Sequence, residues 1–265
     1  MSLTLFFFFL QCIITTLIYL NALHLIMSGK FVMVEGLDGS GKGVVVNTLK
    51  EYFDNKGLKV FDLREHCKEH LSFPEFSEIE EYDVIINAEP TYSHVGIAIR
   101  DEIIRENERK YSGLSTAHAF ALDREILYKK LLIPALEKGK TVIQERGLVT
   151  SFVYQPIQLE RISLKDILNI PGNRLALKYR PDLLIITKVD PQVVIHRLKN
   201  REKKDNAIFE KLVFQRQVAN RYESEWLSKL FSGRGSQVQF LDTNYPKTVE
   251  DTQKAAIEMW EEFDK

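Results

Sequence analysis

Cysteine is scarce in this sequence: Cys12 and Cys67 are its two copies, and neither belongs to a Cys/His cluster with the spacing of a metal site. Neither a disulfide framework nor a zinc site is indicated, and a reducing compartment is expected. Excess charge is also lacking, since the net charge of −1 predicts no general attraction to nucleic acid. The 265 residues, 45% hydrophobic and 28% charged, suffice for one α/β domain with an appendage.

The first 29 residues contain no Lys, Arg, Asp or Glu, and the run from Leu3 to Leu20 is apolar over nearly the length of a bilayer span. It lacks the basic start and small-residue cleavage site of a secretion signal. Residues 1–27 are therefore either a membrane anchor or an over-extended start upstream of Met27. The second interpretation is favoured, because an anchor would leave almost no linker before the first strand. We expect a cytoplasmic protein, or one at the cytoplasmic face of a membrane if residues 1–27 are translated.

From Lys30 onward, short β-branched runs alternate with helical patterns, which indicates βαβ units around a parallel sheet. The predicted strands are residues 31–34, 59–63, 84–87, 141–144, 183–188 and 237–241. The predicted helices are residues 43–55, 114–137, a helix opened by Pro191, and 247–263. The acidic stretch 66–82 is interpreted as an irregular insertion in a loop. The predicted fold class is α/β, with helices on both faces of the sheet.

The segment Gly-Leu-Asp-Gly-Ser-Gly-Lys at residues 36–42 lies between the first strand and the first helix, with the GxxxxGK spacing of a phosphate loop. Its backbone N–H groups and the helix N-terminus would surround a phosphate chain, and Lys42 would reach the outer phosphates. The predicted ATP-binding residues are Gly36, Leu37, Asp38, Gly39, Ser40, Gly41, Lys42 and Gly43. Gly43 is a departure, because this position normally carries the Ser or Thr hydroxyl that ligates magnesium.

Further motifs make residues 28–265 resemble the thymidylate kinase family, in its archaeal-like form. In chain order they are Glu89-Pro90-Thr91 with Val95-Gly96 and Ile99-Arg100, Phe120-Ala121-Leu122-Asp123-Arg124, Glu145-Arg146 with Thr150-Ser151 and Tyr154-Gln155, and Pro181-Asp182-Leu183 through Val189-Asp190-Pro191. The resemblance implies a P-loop NTPase fold, a three-layer α/β/α nucleoside monophosphate kinase with a small lid at about residues 197–210. It also implies ATP-dependent phosphorylation of dTMP to dTDP in dTTP biosynthesis, with Mg²⁺ on the donor phosphates and a homodimeric assembly.

The resemblance also assigns roles in the acceptor site. In family members, the aromatic residue matching Phe120 stacks on thymine and the arginine matching Arg124 donates to a base carbonyl. Arg146 matches the arginine that clamps the monophosphate, Asp38 the acid that accepts from the sugar 3′-hydroxyl, and Tyr154 the tyrosine under the deoxyribose. The remaining predicted substrate-binding residues are Glu89, Thr150 and Ser151.

The predicted catalytic residues are Lys42, Arg146, Glu145 and Arg201. Arg197, Arg201, Lys203 and Lys204 resemble the family's lid, from which Arg201 or Arg197 would stabilise the transferring charge. Arg197 is also a predicted ATP-binding residue. Structural roles stay open beside these functions. They are core aromatics for Phe120 and Tyr154, a solvated ion pair with Asp123 or a neighbouring glutamate for Arg124, a surface salt bridge for Arg146, helix caps for Thr150 and Ser151, and a solvated charge run for the lid.

Two departures from the family pattern meet at the predicted metal site. Glu145 replaces an aspartate with a carboxylate one methylene longer, and we hypothesise that it compensates for Gly43 by ligating magnesium. Gly147 stands where an aromatic residue is usual. Gly43 also favours a catalytically weak pseudo-kinase, while Gly147 and the 66–82 segment favour a kinase for another deoxynucleoside or nucleoside monophosphate. A membrane-tethered P-loop ATPase is the third alternative.

Overall fold

The structure of the protein, a computed structural model, describes residues 29–105, 107–158, 160–199 and 212–265. The predicted extension at residues 1–27 lies outside these ranges, as do Arg201, Lys203 and Lys204 of the predicted lid. None of the helices in the described ranges is both long and apolar enough to cross a bilayer.

Six strands pair in parallel, in the order β2-β3-β4-β1-β5-β6. They are β1 Lys30–Gly36, β2 Val60–Asp62, β3 Val84–Ala88, β4 Thr141–Glu145, β5 Leu183–Lys188 and β6 Gln237–Asp242. The prediction of a six-stranded parallel sheet is confirmed, and each strand lies within two residues of its predicted bounds. Val34 of β1 pairs with Glu145 of β4, and Gly36 pairs with Thr187 of β5. The carboxyl ends of the three central strands therefore meet at one edge, where ligands of such sheets bind.

Helices connect the strands and cover both faces of the sheet. They are α1 Lys42–Asn55, α2 Leu63–His70, α3 His94–Ala98, α4 Gly113–Leu127, α5 Ile133–Glu137, α6 Leu148–Tyr154, α7 Leu164–Asn169, α8 Pro171–Lys178, α9 Pro191–Lys199, α10 Leu212–Tyr222, α11 Glu225–Ser232 and α12 Val249–Phe263. Alternate residues of β1 enter different cores: Phe31 and Met33 enter the larger one, while Val32 and Val34 pack with α1 and α12. This burial on both faces explains why β1 is a continuous apolar run.

The prediction of an irregular loop at residues 66–82 is wrong in its first part, because α2 extends to His70 and a 3₁₀ turn forms at Phe76–Glu78. The Asp62 side chain caps α2 by accepting from the backbone N–H of Arg64. Only Leu63 and Cys67 of this helix are buried. Two apolar positions among charged residues gave too weak a helical pattern to be detected.

The predicted helix at residues 114–137 is confirmed in position, but a π-helical stretch at Tyr128–Leu132 separates α4 from α5. Pro134 explains the interruption, because its ring would clash with the carbonyl four residues earlier and it has no N–H to donate. The helices predicted at residues 43–55, from Pro191 and at 247–263 are confirmed as α1, α9 and α12.

Candidate functional site

The phosphate loop leaves β1 through Gly36, whose φ of +139° favours glycine. A Cβ atom on Gly36 would lie 2.2 Å from Thr187 Oγ1, so no side chain fits here. Gly39 and Gly41 also have positive φ angles, +77° and +95°. The GxxxxGK spacing therefore corresponds to a real backbone requirement in this chain.

Two threonines hold the loop from the neighbouring strands. Thr187 Oγ1 lies 2.5 Å from Ser40 Oγ and donates to the carbonyl oxygen of Glu35 at 3.0 Å. Thr243, just after β6, donates to the carbonyl oxygen of Ser40 at 3.0 Å. Arg197 of α9 donates to the carbonyl oxygens of Gly39 at 3.3 Å and Thr243 at 2.7 Å. Arg197 therefore lies beside the phosphate loop, and its contact with ATP stays a prediction.

Lys42 is buried at the start of α1, and its Nζ donates to the carbonyl oxygen of Leu37 at 2.6 Å. Burial and the nearby positive charge of Arg146 together lower the pKa of Lys42 to about 8, against the opposing effects of Asp38 and Glu145. The side chain thus lies across the loop where phosphates would bind.

Glu145 ends β4 directly beside Gly43. A Cβ atom built on Gly43 would lie 3.8 Å from Glu145 Oε2, an ordinary van der Waals distance. Among the described residues, the Glu145 carboxylate has neither a hydrogen-bond donor nor an ion-pair partner. An uncommitted carboxylate therefore lies next to the position of the missing hydroxyl.

Arg146 follows β4 in a left-handed backbone conformation, with φ of +62°, and its N–H donates to Val34 at 2.9 Å. Its guanidinium forms an ion pair with Asp38, lies 3.4 Å from Thr150 Oγ1 and lies 5.8 Å from the centre of the Tyr154 ring. Burial alone would lower the pKa of Arg146, but Asp38 and other acidic groups hold it well above its usual value. Four predicted acceptor residues therefore lie together.

Arg124 lies behind this group and is almost fully buried with Glu89, to which it is paired at 2.7 Å. It also donates to Ser151 Oγ at 3.2 Å and to Asn173 Oδ1. Burial raises the pKa of Glu89 to about 7, although Arg124 opposes the shift. The solvated ion pair considered for Arg124 is wrong, because the side chain is buried against Glu89, and its contact with a base stays a prediction. Phe120 is half-buried one turn earlier in α4.

Two buried carboxylates were not among the predicted site residues. Asp123 accepts from the N–H of Thr91 at 2.8 Å and from its Oγ1 at 2.7 Å. Glu35 accepts from the N–H of Thr150 at 3.0 Å and from its Oγ1 at 2.8 Å. Burial raises the pKa of both carboxyl groups. Asp123 was visible in a quoted motif, whereas nothing in the apolar run around Glu35 distinguished it.

Thr150 and Ser151 lie inside α6, whose N-terminal cap residue is Gly147, so the capping role considered for them is wrong. A Cβ atom on Gly147 would lie 2.6 Å from both Gln144 Nε2 and Met33 Cε. Gln144 Nε2 donates to Glu89 Oε1 at 3.0 Å and to the carbonyl oxygen of Arg146 at 2.8 Å. Gln144 and Met33 therefore occupy the space that a side chain at position 147 would need.

A phosphate loop on the central strand, with an arginine from the adjacent strand paired to it, defines a P-loop phosphotransferase of the nucleotide kinase type. The thymidylate kinase family model matches residues 75–252, which is more than half of the chain. The chain belongs to the thymidylate kinase family.

Relatives and solved structures agree with this assignment. The chain is 32% identical to the thymidylate kinase of Caldicellulosiruptor saccharolyticus, over 77% of this chain and 85% of that protein. It is 34% identical to a probable thymidylate kinase of Pyrococcus abyssi, over 74% and 82% of the two chains. Thymidylate kinases from Ehrlichia chaffeensis and Candida albicans have the same fold, with TM-scores of 0.57 and 0.61. Their identities are 19% and 16%, covering 88% and 89% of this chain and 98% and 92% of theirs. The resemblance and the P-loop fold expected from the sequence are confirmed.

Proposed function

We propose that the protein transfers the γ-phosphoryl group of ATP to dTMP, giving ADP and dTDP. The observation that carries this proposal is the ion pair between Asp38 and Arg146. It joins the donor phosphate loop to a buried cationic group on the next strand, which is where an acceptor phosphate must lie for in-line transfer. The relatives named above are thymidylate kinases, and they lend no support to the pseudo-kinase or to another acceptor.

The reaction requires positioning more than acid–base chemistry, because an acceptor phosphate oxygen is already anionic. This oxygen attacks the γ-phosphorus while the bond to the β,γ-bridging oxygen breaks and ADP leaves. Lys42 and the loop N–H groups would hold the donor phosphates, and Arg146 would hold the acceptor phosphate. Asp38 would accept from the 3′-hydroxyl, and Tyr154 would lie under the deoxyribose. Arg197, beside the loop, would face the donor.

Phe120, Arg124 and Ser151 would line the base end of the acceptor site, with Glu89 and Thr150 holding Arg124 and Arg146. Because Arg124 is already bonded to three internal partners, its main contribution in this scheme is to fix the pocket that Phe120 covers. Arg201 remains the proposed lid residue that stabilises the transferring charge.

The oxygen ligands available at this site, a carboxylate and the substrate phosphates, are those that magnesium prefers. A magnesium ion in such enzymes is held by one or two carboxylates together with substrate phosphates, and it neutralises charge on the donor oxygens. Glu145 is a carboxylate without a protein partner beside the loop, and it would hold the ion. In the described part of the chain, no group of three or more His, Cys, Asp or Glu residues could bind a metal without phosphates.

The test is an acceptor panel with the purified full-length chain and ATP. Thymidine, dTMP, dUMP and dCMP are each supplied with Mg²⁺ or with EDTA, and ADP and the phosphorylated product are measured by chromatography. We expect equal amounts of ADP and dTDP, formed only with Mg²⁺ and fastest with dTMP. Nucleotide binding without transfer would establish the pseudo-kinase, and a faster alternative acceptor would replace dTMP.

We also propose that the protein is a homodimer. Leu114 and Leu122, eight residues apart on α4, are 54% and 50% exposed, and a partner covering this face would bury both. Light scattering of the wild-type chain and of Leu122→Glu tests this proposal, which requires a dimer that the substitution dissociates.

A further inference from the structure

Glu35, Thr150 and Tyr222 form a hydrogen-bonded group, which we call the Glu35 cluster. Glu35 and Tyr222 are buried and Thr150 is half-buried, and the proposed reaction gives no role to Glu35 or Tyr222. Glu35 is 0% exposed, and its carboxylate accepts from Thr150 N–H, from Thr150 Oγ1 and from the Tyr222 hydroxyl, the last at 2.9 Å. These three donors satisfy the buried carboxylate with charge-assisted hydrogen bonds and hold its orientation.

Tyr222 brings a distant helix to this point. It is the last residue of α10, and its ring lies 6.3 Å from that of Tyr154. Phe214, two turns earlier in α10, lies 5.9 Å from the same ring. Arg221 donates to the carbonyl oxygen of Phe152 in α6 at 2.6 Å. Helix α10 therefore packs against α6, the helix that carries the predicted acceptor residues Thr150, Ser151 and Tyr154.

The Glu35 cluster fixes the direction of the hydroxyl hydrogen of Thr150. A hydroxyl has one hydrogen and two lone pairs. Because Thr150 Oγ1 gives its hydrogen to Glu35 at 2.8 Å, only lone pairs remain for the Arg146 guanidinium 3.4 Å away. Asp38 receives the same guanidinium from the other side. Arg146 is thus held between two acceptors, one of which depends on Glu35.

We propose that Glu35 and Tyr222 are positioning residues for the acceptor phosphate: they orient Thr150, and through it Arg146, toward that phosphate. This inference rests on the proposed function, because it concerns the same acceptor site. It assigns a task to α10 as well, since Tyr222 links this helix to the arginine without touching the nucleotide.

The experiment separates the contribution of the acceptor phosphate to binding from that of the nucleoside. Dissociation constants of dTMP and thymidine are measured by calorimetry for the full-length chain, and their ratio gives the contribution of the phosphate. We expect Glu35→Gln to reduce this ratio about 10-fold, because its amide would donate to Thr150 and turn the hydroxyl hydrogen toward Arg146. Tyr222→Phe should reduce it about 3-fold, since one donor to the carboxylate is lost. Thr150→Val should match Glu35→Gln, and Thr150→Ser should restore the wild-type ratio.

Tyr128→Phe is the matched control. Tyr128 is also a fully buried tyrosine, but its hydroxyl has no partner in the described part of the chain. The control should leave the ratio unchanged. If Glu35→Gln and Tyr222→Phe lower the melting temperature but weaken the binding of dTMP and of thymidine by the same factor, the cluster has only a structural role and the inference is wrong. If the wild-type chain binds neither ligand, the proposed function fails and this inference fails with it.

Discussion

The acceptor side and the donor side of the site satisfy their charged groups differently. On the acceptor side Glu35, Glu89 and Asp123 are buried, and each accepts at least two hydrogen bonds or an ion pair from the protein. On the donor side Glu145 has no such partner among the described residues, and Lys42 donates to a backbone carbonyl. The difference teaches that the acceptor-side carboxylates are held by the protein before substrate binds, whereas Glu145 on the donor side is left for a ligand.

This difference has an energetic meaning. Removing a group from the acceptor side leaves another buried group without its partner, which costs stability as well as activity. Removing the Glu145 carboxylate from the donor side leaves no such orphan, so its effect should be confined to nucleotide and metal binding. Four predictions test this division.

The largest expected effect is that of Arg146→Met. Loss of the cation that faces the acceptor phosphate should reduce kcat/KM for dTMP about 1,000-fold, or roughly 4 kcal/mol, while ATP affinity stays within about twofold. Steady-state kinetics and ATP calorimetry provide the measurements. Arg64→Met is the control, because that side chain is similarly exposed (13% against 14%) and ion-paired, but to Asp62. An equal loss of ATP affinity would contradict the division.

Arg124→Met should mainly destabilise the protein, by roughly 3 kcal/mol at about pH 8, because it leaves Glu89 buried and unpaired. The pKa of Glu89 is already raised to about 7 in the folded state. A raised carboxyl pKa contributes stability that is present below the unfolded value and is lost as pH rises through the folded value. The cost should therefore shrink at about pH 5, as urea denaturation would show. A cost independent of pH would mean that Glu89 does not titrate.

Gly43→Ser and Glu145→Asp test the donor side. If Glu145 takes over the task of the missing hydroxyl, Glu145→Asp alone should reduce kcat about 30-fold, and the double variant should recover about 10-fold of that loss. Gly43→Ser alone should change kcat less than about threefold, since 3.8 Å leaves room for the new side chain. Magnesium titrations of the wild type, the two single variants and the double variant together form a double-mutant cycle. Independent, additive effects would remove the coupling.

The smallest expected effect is a proton taken up with ATP. The pKa of Lys42 is about 8 in the protein without ligand, and bound phosphates would raise it. Below about pH 7 the lysine is already charged, so little uptake is expected; above about pH 8 each ATP should bring up to one proton, and affinity should fall with pH. Calorimetry in two buffers of different ionisation enthalpy measures the proton count. Lys42→Met should abolish it; uptake that persists would come from another group.

The sequence was informative wherever a local pattern had a single cause. The six strands and the phosphate loop were predictable, because burial on both faces produces apolar runs and the loop requires its glycines. Arg146 was predictable as the residue that follows a central strand. The start of α2 was missed because Leu63 and Cys67 are its only buried side chains.

The buried carboxylates show what local patterns omit. Glu35 and Tyr222 are separated by 187 residues, and no sequence pattern around either residue indicates that the two are in contact. In the sequence, Asp123 is only a charged residue next to Arg124. Its hydrogen bond with Thr91, 32 residues away, becomes visible only in the fold. Likewise, the space taken by Gln144 and Met33 accounts for Gly147 only when the fold is known.

The threonines that shape the phosphate loop have a consequence for the order in which the protein can be made. Thr187 and Thr243 follow their contacts in Ser40 by 147 and 203 residues. During synthesis the loop leaves the ribosome early, but the side chains that fix its curvature arrive last. A nascent chain therefore exposes the loop through most of its translation before both threonines can hold it, and a chain that stops before β6 still lacks Thr243.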